Sequence, residues 1–254
     1  MRKTCRSEAE ALTPPAYSVK SKVHEYGGGD FLVSEGRIFF SNGSDQDIYE
    51  ITDTKIKRIT HAPKMRFADL FFDRKRHRLI AVCEDHGSDT HLPENRLVEI
   101  SLEEGNTEIT TVIEGDDFYA APAISPCGEY LSYLSWSRPF MPWEAAALSL
   151  VNINEDGKPH NSSRQFGGEG SAVFQPHWHG SDLYFVFEQG NWNNIAVLTK
   201  SEDFAKPDNL WKEDADFGRP HWVFGQRSFA FLDAHTLIAS YFKDVLQEIR
   251  LWEL

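Results

Sequence analysis

A serine hydrolase needs its nucleophile raised on a sharp Gly-x-Ser-x-Gly turn, so that the hydroxyl stands free beside an oxyanion hole. No serine in this sequence has glycine at both −2 and +2, and the nearest fragment, Gly168-Glu-Gly-Ser171, carries Glu169 at −2. Metal chemistry has two places to look. The stretch Glu84-Asp-His-Gly-Ser-Asp-Thr-His91 offers Asp85, His86, Asp89 and His91, with carboxylates for calcium and imidazoles for transition metals. Its spacing matches no EF-hand or zinc pattern, and a solvated loop between strands is expected. His177 and His179 flank Trp178 and would lie on one side of a strand. No third ligand accompanies them, and packing at a rim beside Trp178 is expected.

Two further groups could bind rather than catalyse. His24, Glu25 and Tyr26 precede Gly27-Gly-Gly29, which lacks the lysine of a phosphate loop. The glycines imply close packing of an inner strand, or a bulge that only glycine fits. The three polar residues, at the start of that strand, either face a central tunnel and hold loops or substrate, or form a buried hydrogen-bond network. Trp136, Met141, Pro142, Trp143 and Glu144 lie in a long insertion. A carboxylate beside aromatics there could hold a cationic group such as a peptide amine, or the loop could pack on its own rings. Trp192, at the tip Asn191-Trp-Asn193, has the same two readings. Cys5, Cys83 and Cys127 are odd in number and widely spaced, which suits reduced thiols and neither a disulfide framework nor a zinc knuckle. Cys83 is expected in a strand and Cys127 in a turn. No cofactor or metal is expected.

The elements that must position these residues form a repeat. Second strands begin at Ile38, Leu79, Leu131, Leu183 and Leu237, and third strands at Ile48, Leu97, Leu148, Ile195 and Ile249. Both markers recur about every 40–55 residues, the period of four-stranded propeller blades. Glu35-Gly36, Pro126-Cys-Gly128, Gly180-Ser-Asp182 and Asp233-Ala-His235 supply hairpin turns between first and second strands, with residues that tolerate the required backbone angles. Fourth strands are expected in Lys55–Thr60, Glu108–Ile113 and Asn209–Lys212. Consecutive apolar residues, as in Leu183–Phe187, mark strands covered on both faces and favour a propeller over an immunoglobulin-like sandwich. The fold class is therefore all-β, a propeller of about five blades. Residues 1–16 form an N-terminal segment and 17–254 the propeller, with units at roughly 23–62, 63–115, 116–168, 169–215 and 216–254. The last unit lacks a fourth strand. Tyr17–Lys22 could supply it and close the ring, and open strand edges would otherwise invite self-association.

Twenty-six basic and 39 acidic side chains give a net charge of −13. Such a field repels phosphate backbones and anionic lipid, arguing against nucleic-acid and membrane partners. The basic N-terminus has no apolar stretch behind it, so a cytoplasmic protein is expected.

The motifs Leu12-Thr-Pro-Pro15, Val23-His-Glu-Tyr-Gly-Gly-Gly29, Asp117-Phe-Tyr119, Ile124-Ser-Pro126, Leu134-Ser-Trp136, Met141-Pro-Trp143, Phe174-Gln-Pro176 with Trp178, and Gly218-Arg-Pro-His-Trp-Val-Phe-Gly225 follow one another in order. Together they resemble the propeller of prolyl oligopeptidase family serine peptidases, on the acylaminoacyl-peptidase and dipeptidyl-aminopeptidase-like branch. The resemblance implies a propeller of about seven blades capping an α/β-hydrolase domain and restricting access to its Ser-Asp-His site. It makes the insertion around Trp143 a lining of the substrate chamber. Against that pattern the chain starts after the first blade and ends within the propeller, so an incomplete propeller lacking its hydrolase is expected. A non-catalytic, substrate-gating segment follows, working with a separate hydrolase domain or peptide substrate. The alternatives are a stand-alone protein-interaction propeller, or a propeller hydrolase or lyase with a metal site.

Overall fold

The computed structural model describes residues 11–52, 55–87, 91–106, 108–160, 163–244 and 246–254, which form five antiparallel sheets whose strands follow sequence order. Blade 1 comprises β1 (Phe31–Ser34), β2 (Arg37–Ser41), β3 (Ile48–Thr52) and β4 (Lys55–Arg58). Blade 2 comprises β5 (Met65–Asp73), β6 (Arg78–Asp85), β7 (Glu94–Ser101) and β8 (Ile109–Ile113). Blade 3 has β9 (Phe118–Ile124), β10 (Tyr130–Trp136), β11 (Ala147–Asn152) and β12 (Arg164–Gly167), with a one-turn helix α1 (Pro142–Ala145) between β10 and β11. Blade 4 has β13 (Val173–His179), β14 (Asp182–Gln189), β15 (Trp192–Leu198) and the two-residue β16 (Asp208–Asn209). Blade 5 has β17 (Phe229–Phe231), β18 (Thr236–Lys243) and β19 (Leu246–Glu253). The architecture is a β-propeller.

Alternate side chains of a strand point to opposite faces, and here the two faces serve different neighbours. Along β6, Leu79, Ala81 and Cys83 pack with Phe39 and Ile48 of blade 1. Ile80 and Val82, between them, pack with Tyr119 and Leu131 of blade 3. Along β14, Leu183 and Phe185 join Leu134 and Leu148 of blade 3, whereas Tyr184 and Val186 join Phe229 and Tyr241 of blade 5. This double burial is the cause of the unbroken apolar runs. Each fully buried large side chain of this kind contributes about 1.5–3 kcal/mol.

The outer strands depart from the expected pattern in detail. The fourth strand of blade 3, β12, is polar and short and went unread. That of blade 4 shrinks to β16, short of the expected Asn209–Lys212. The segment Tyr17–Lys22 is not a fourth strand for blade 5. It runs along the β2–β3 loop, with Lys20 N donating to Ser41 O at 3.0 Å, Gly43 N to Ser18 O at 2.6 Å and Ser18 N to Asn42 Oδ1 at 3.1 Å. These bonds satisfy backbone groups at the β2–β3 loop of blade 1. The segments leading into blades 5 and 1 meet instead, through a parallel bridge between Gly28 and Phe224. Beyond that bridge the outward faces stay open, with Phe31 and Val33 on β1 each 61% exposed and Ile249 on β19 70% exposed. No helix among the described residues is long and apolar enough to cross a membrane.

Candidate functional site

The site begins with three irregular inner strands. In β5, β9 and β13 the register slips once against the neighbouring strand, between Ala68 and Phe71, between Ala123 and Ala120, and between Phe174 and His177. Each slip holds one non-glycine residue in the left-handed region, Asp69 (φ 53°), Ala121 (φ 51°) and Gln175 (φ 41°). Such a residue costs about 1–3 kcal/mol, and the surroundings must fix it. Here they do so from blade to blade. Asp69 N donates to Gly29 O at 2.9 Å, Ala121 N to Asp69 Oδ2 at 2.6 Å, and Ser228 N to Gln175 Oε1 at 2.5 Å. The bulges bend the inner strands around a central cavity of about 530 Å³.

The residues 23–29 close one side of it. They are a turn ahead of β1, where the start of an inner strand was expected. His24 and Glu25 both have positive φ, and Gly28 and Gly29 follow at 83° and 55°. A Cβ on Gly28 would lie 2.7 Å from Phe224 N and O, and one on Gly29 would lie 2.9 Å from Asp69 N. The glycines therefore permit close backbone approach, as the sequence implied. The buried Glu84 anchors the turn by accepting from His24 N at 2.8 Å and from Arg66 Nη1 at 3.0 Å, with His86 Nε2 2.7 Å away.

Aromatic rings make up most of the wall. The His24 ring meets Phe118 at 5.0 Å, Trp136 at 5.9 Å and Phe224 at 5.0 Å, and Phe118 stacks on Trp136 at 5.5 Å. At the rim Trp143 contacts Trp222 at 4.4 Å, and Tyr26 contacts Trp222 at 5.6 Å. Trp222 is 49% and Tyr26 59% exposed, so this three-ring cluster borders solvent. Three separate segments supply it: the turn, α1 and the stretch before β17.

Charge in the cavity is sparse. Burial pushes His24, His177 and His221 each down to about 4, so all three rings are neutral at neutral pH. For His24 the nearby Glu84 charge opposes that shift. For His177 the Arg227 guanidinium adds to it. Arg227 Nη1 lies 2.8 Å from His177 Nδ1, a geometry in which the guanidinium donates and the ring nitrogen accepts. Asp69 is the one carboxylate on the cavity wall among the described residues. Burial raises its pKa, against the pull of the Ala121 N–H and the Arg227 charge. Among the described residues the wall carries no Ser, Thr, Cys or Lys, and so no aliphatic hydroxyl, thiol or amine nucleophile.

The cavity brings together His24, Tyr26, Trp136, Met141 and Trp143 from the residues singled out in the sequence. Glu25, Glu144 and Trp192 are not on its wall. Glu25 points outward to Arg66 at 2.6 Å with its side chain 75% exposed. Glu144 reaches back to accept from Met141 N at 2.8 Å, capping α1. Trp192 opens β15 opposite Gln189 in the β14–β15 hairpin. Trp136 is the last residue of β10, ahead of the insertion. His177 and His179 do share a side of β13, but they stack on Phe231 of blade 5, at 5.5 and 3.8 Å. Trp178 turns away to Ser132 and Phe204. In the 84–91 stretch Asp89 lies outside the described residues, as does Cys5, and Glu84 is buried in the network above. Among the described residues no group of three or more His, Cys, Asp or Glu could hold a metal ion. Asp69 and Arg227 were not singled out, and Gln175 and His221 stood only within the motifs Phe174-Gln-Pro176 and Gly218–Gly225. A carboxylate within the apolar run Phe67-Ala-Asp-Leu-Phe-Phe72 was the available signal for the first.

Fold and site thus define a propeller with a central aromatic cavity. No family model and no curated protein matches the chain. Among solved structures, a puromycin-hydrolyzing peptidase from Mycobacterium tuberculosis is 26% identical with a TM-score of 0.80, covering 94% of this chain and 39% of its own. A puromycin hydrolase is 21% identical with a TM-score of 0.85, over 96% of this chain and 40% of its own. Prolyl oligopeptidase B from Galerina marginata shares the fold at 11% identity and a TM-score of 0.51, over 93% of this chain and 42% of its own. The chain shares its fold with these peptidases, prolyl oligopeptidase B among them, and spans about two fifths of their length.

Proposed function

We propose that this propeller admits and orients peptide or puromycin-type amide substrates for a serine peptidase whose α/β-hydrolase domain is not among these residues. The observation that carries the reading is the central cavity of about 530 Å³, walled by aromatics and devoid of Ser, Thr, Cys and Lys among the described residues. That composition suits holding a ligand in a largely apolar space and leaves bond cleavage to another domain. The rim cluster of Tyr26, Trp143 and Trp222 would gate entry, and the relatives that hydrolyse puromycin supply the substrate class. The cytoplasm is the proposed site of action, and a hydrolase domain the proposed partner.

Tryptophan fluorescence of the chain tests this directly, because Trp136, Trp143 and Trp222 line the cavity. A short aromatic peptide amide is expected to quench it saturably. Trp143→Ala should weaken binding about tenfold, the loss of one well-packed aromatic contact. A serine-reactive fluorophosphonate should leave the chain unlabelled. Labelling, or a spectrum indifferent to every peptide amide, would sink the proposal. A second reading, a protein-interaction propeller, draws on the open faces of blades 1 and 5, where Phe31, Val33, Ile249 and Leu251 are exposed. Self-association without any cavity ligand would favour it.

A further inference from the structure

The polar groups of the cavity carry an unmet demand. Asp69 Oδ2 accepts from Ala121 N at 2.6 Å, while no described residue donates to Oδ1. Among the described residues the carboxylate makes no salt bridge. The nearest cation, Arg227, acts on it across space and is itself engaged with His177. A half-buried carboxylate on a largely apolar cavity wall, without a contacting cation, gains when a charged donor arrives. A second acceptor on the same wall, Gln226 Oε1, is buried and has no hydrogen-bond partner. Unfilled acceptors call for a donor. The same cavity is lined by Phe71, Phe118, Trp136 and Phe224, aromatic surfaces that tolerate a desolvated ammonium better than an anion. The three neutral imidazoles do not compete as cations.

We propose that Asp69 receives the free ammonium group of the ligand, so that the cavity selects primary amines borne next to an aromatic or apolar side chain over their acylated counterparts. This deepens, and rests on, the substrate-admitting reading of the same cavity. It also moves the amine anchor from Glu144, which caps α1, to a residue fixed inside the ring. The left-handed bulge at Asp69, tied by its own N–H to Gly29 O at 2.9 Å, holds the carboxylate at the wall before any ligand arrives, and such preorganisation lowers the cost of binding.

The test compares L-phenylalanine amide with N-acetyl-L-phenylalanine amide on the full chain at neutral pH, by calorimetry or tryptophan fluorescence. The free amine is expected to bind about tenfold more tightly or better, the range of a charge-assisted hydrogen bond in a dry site. Asp69→Asn keeps an acceptor for Ala121 N and should erase that advantage while leaving affinity for the acetylated probe unchanged. Its melting temperature reports whether the bulge survives, and the wild-type comparison needs no variant. Equal binding of the two probes to the wild type, or an advantage that persists in Asp69→Asn, overturns the assignment and leaves substrate admission standing. Failure of both probes to bind removes substrate admission and the amine anchor together.

Discussion

His221 makes the chain acid-labile in a way that one substitution should undo. Its ring lies on the cavity wall with an edge contact to Phe174 at 5.1 Å, and burial alone pushes its pKa from the ordinary 6.5 down to about 4. The unfolded ring takes up a proton as pH falls below 6.5, whereas the folded ring stays neutral until about 4. Stability from this group is therefore complete above 6.5 and drains away as the pH falls toward 4, because the unfolded state binds more protons there. At pH 5 the unfolded ring is almost fully charged and the folded ring almost wholly neutral, a difference of about 2 kcal/mol. At pH 8 it is close to zero. His221→Phe removes the titration while filling similar space beside Phe174. Urea unfolding of the two proteins at pH 8 and pH 5 isolates the effect, since whatever packing change the phenylalanine brings is common to both conditions. His24 and His177 add to the same acid lability, and Asp69, with its raised pKa, opposes it. All three are present in both proteins and cancel. The variant should gain about 2 kcal/mol on the wild type between pH 8 and pH 5. A stability difference that does not move with pH would show that the His221 ring is solvated, and the description of a dry cavity wall would fall with it.

Two further substitutions probe how the cavity is held. Gly28→Ala should destabilise the fold by about 2–4 kcal/mol, combining a left-handed alanine with a collision against Phe224. Gly36→Ala, at a similar φ but with nothing within 4 Å of its Cβ, should cost only the backbone part, about 1–2 kcal/mol. Equal losses in denaturant midpoints would refute the close approach of blades 5 and 1. Glu84→Gln should cost about 1–3 kcal/mol by weakening the buried acceptor of Arg66 and His24 N. It should also weaken ligand quenching of the cavity tryptophans, since the 23–29 turn loses its anchor. A variant that binds ligand normally would mean that Gly27–Gly29 hold the turn without help.

The sequence revealed what double burial writes into it. Leu79–Cys83 and Leu183–Phe187 are apolar at every position because consecutive residues face different blades, and that texture exposed the repeat. Strands without that duty left little trace. Arg164-Gln-Phe-Gly167 pairs only along one edge, and Tyr17–Lys22 looks like a strand yet spends its hydrogen bonds on the β2–β3 loop. In the site, His24, Tyr26, Trp136 and Trp143 were legible as polar or aromatic residues in or beside irregular segments, and Met141 as the neighbour of Trp143 in the insertion. Glu25 and Glu144 looked equally promising, because a carboxylate that pairs with Arg66 or caps a helix has the same sequence signature as one that meets a ligand. Asp69 was hidden by its setting, since strand periodicity predicts a side chain's face only while the register is unbroken.

That break in register ties the fold to its use. A regular inner strand in every blade would repeat one pattern of side chains around the axis, alternating strictly with burial on either side. The slips at Asp69, Ala121 and Gln175 interrupt the alternation at corresponding places in three successive blades. Each left-handed residue there carries a cost of about 1–3 kcal/mol, which the hydrogen bonds to Gly29 O, Asp69 Oδ2 and Gln175 Oε1 offset from the neighbouring blade. The compensation runs between blades, so altering one bulge should disturb the next. Gln175→Ala, for instance, removes the acceptor of Ser228 N, whose residue also receives Ser240 N at 2.7 Å, and so loosens the start of blade 5 beside Arg227. A cavity built this way keeps its polar groups few and fixed. The blades supply the rigidity, and the irregular positions decide what the cavity can hold.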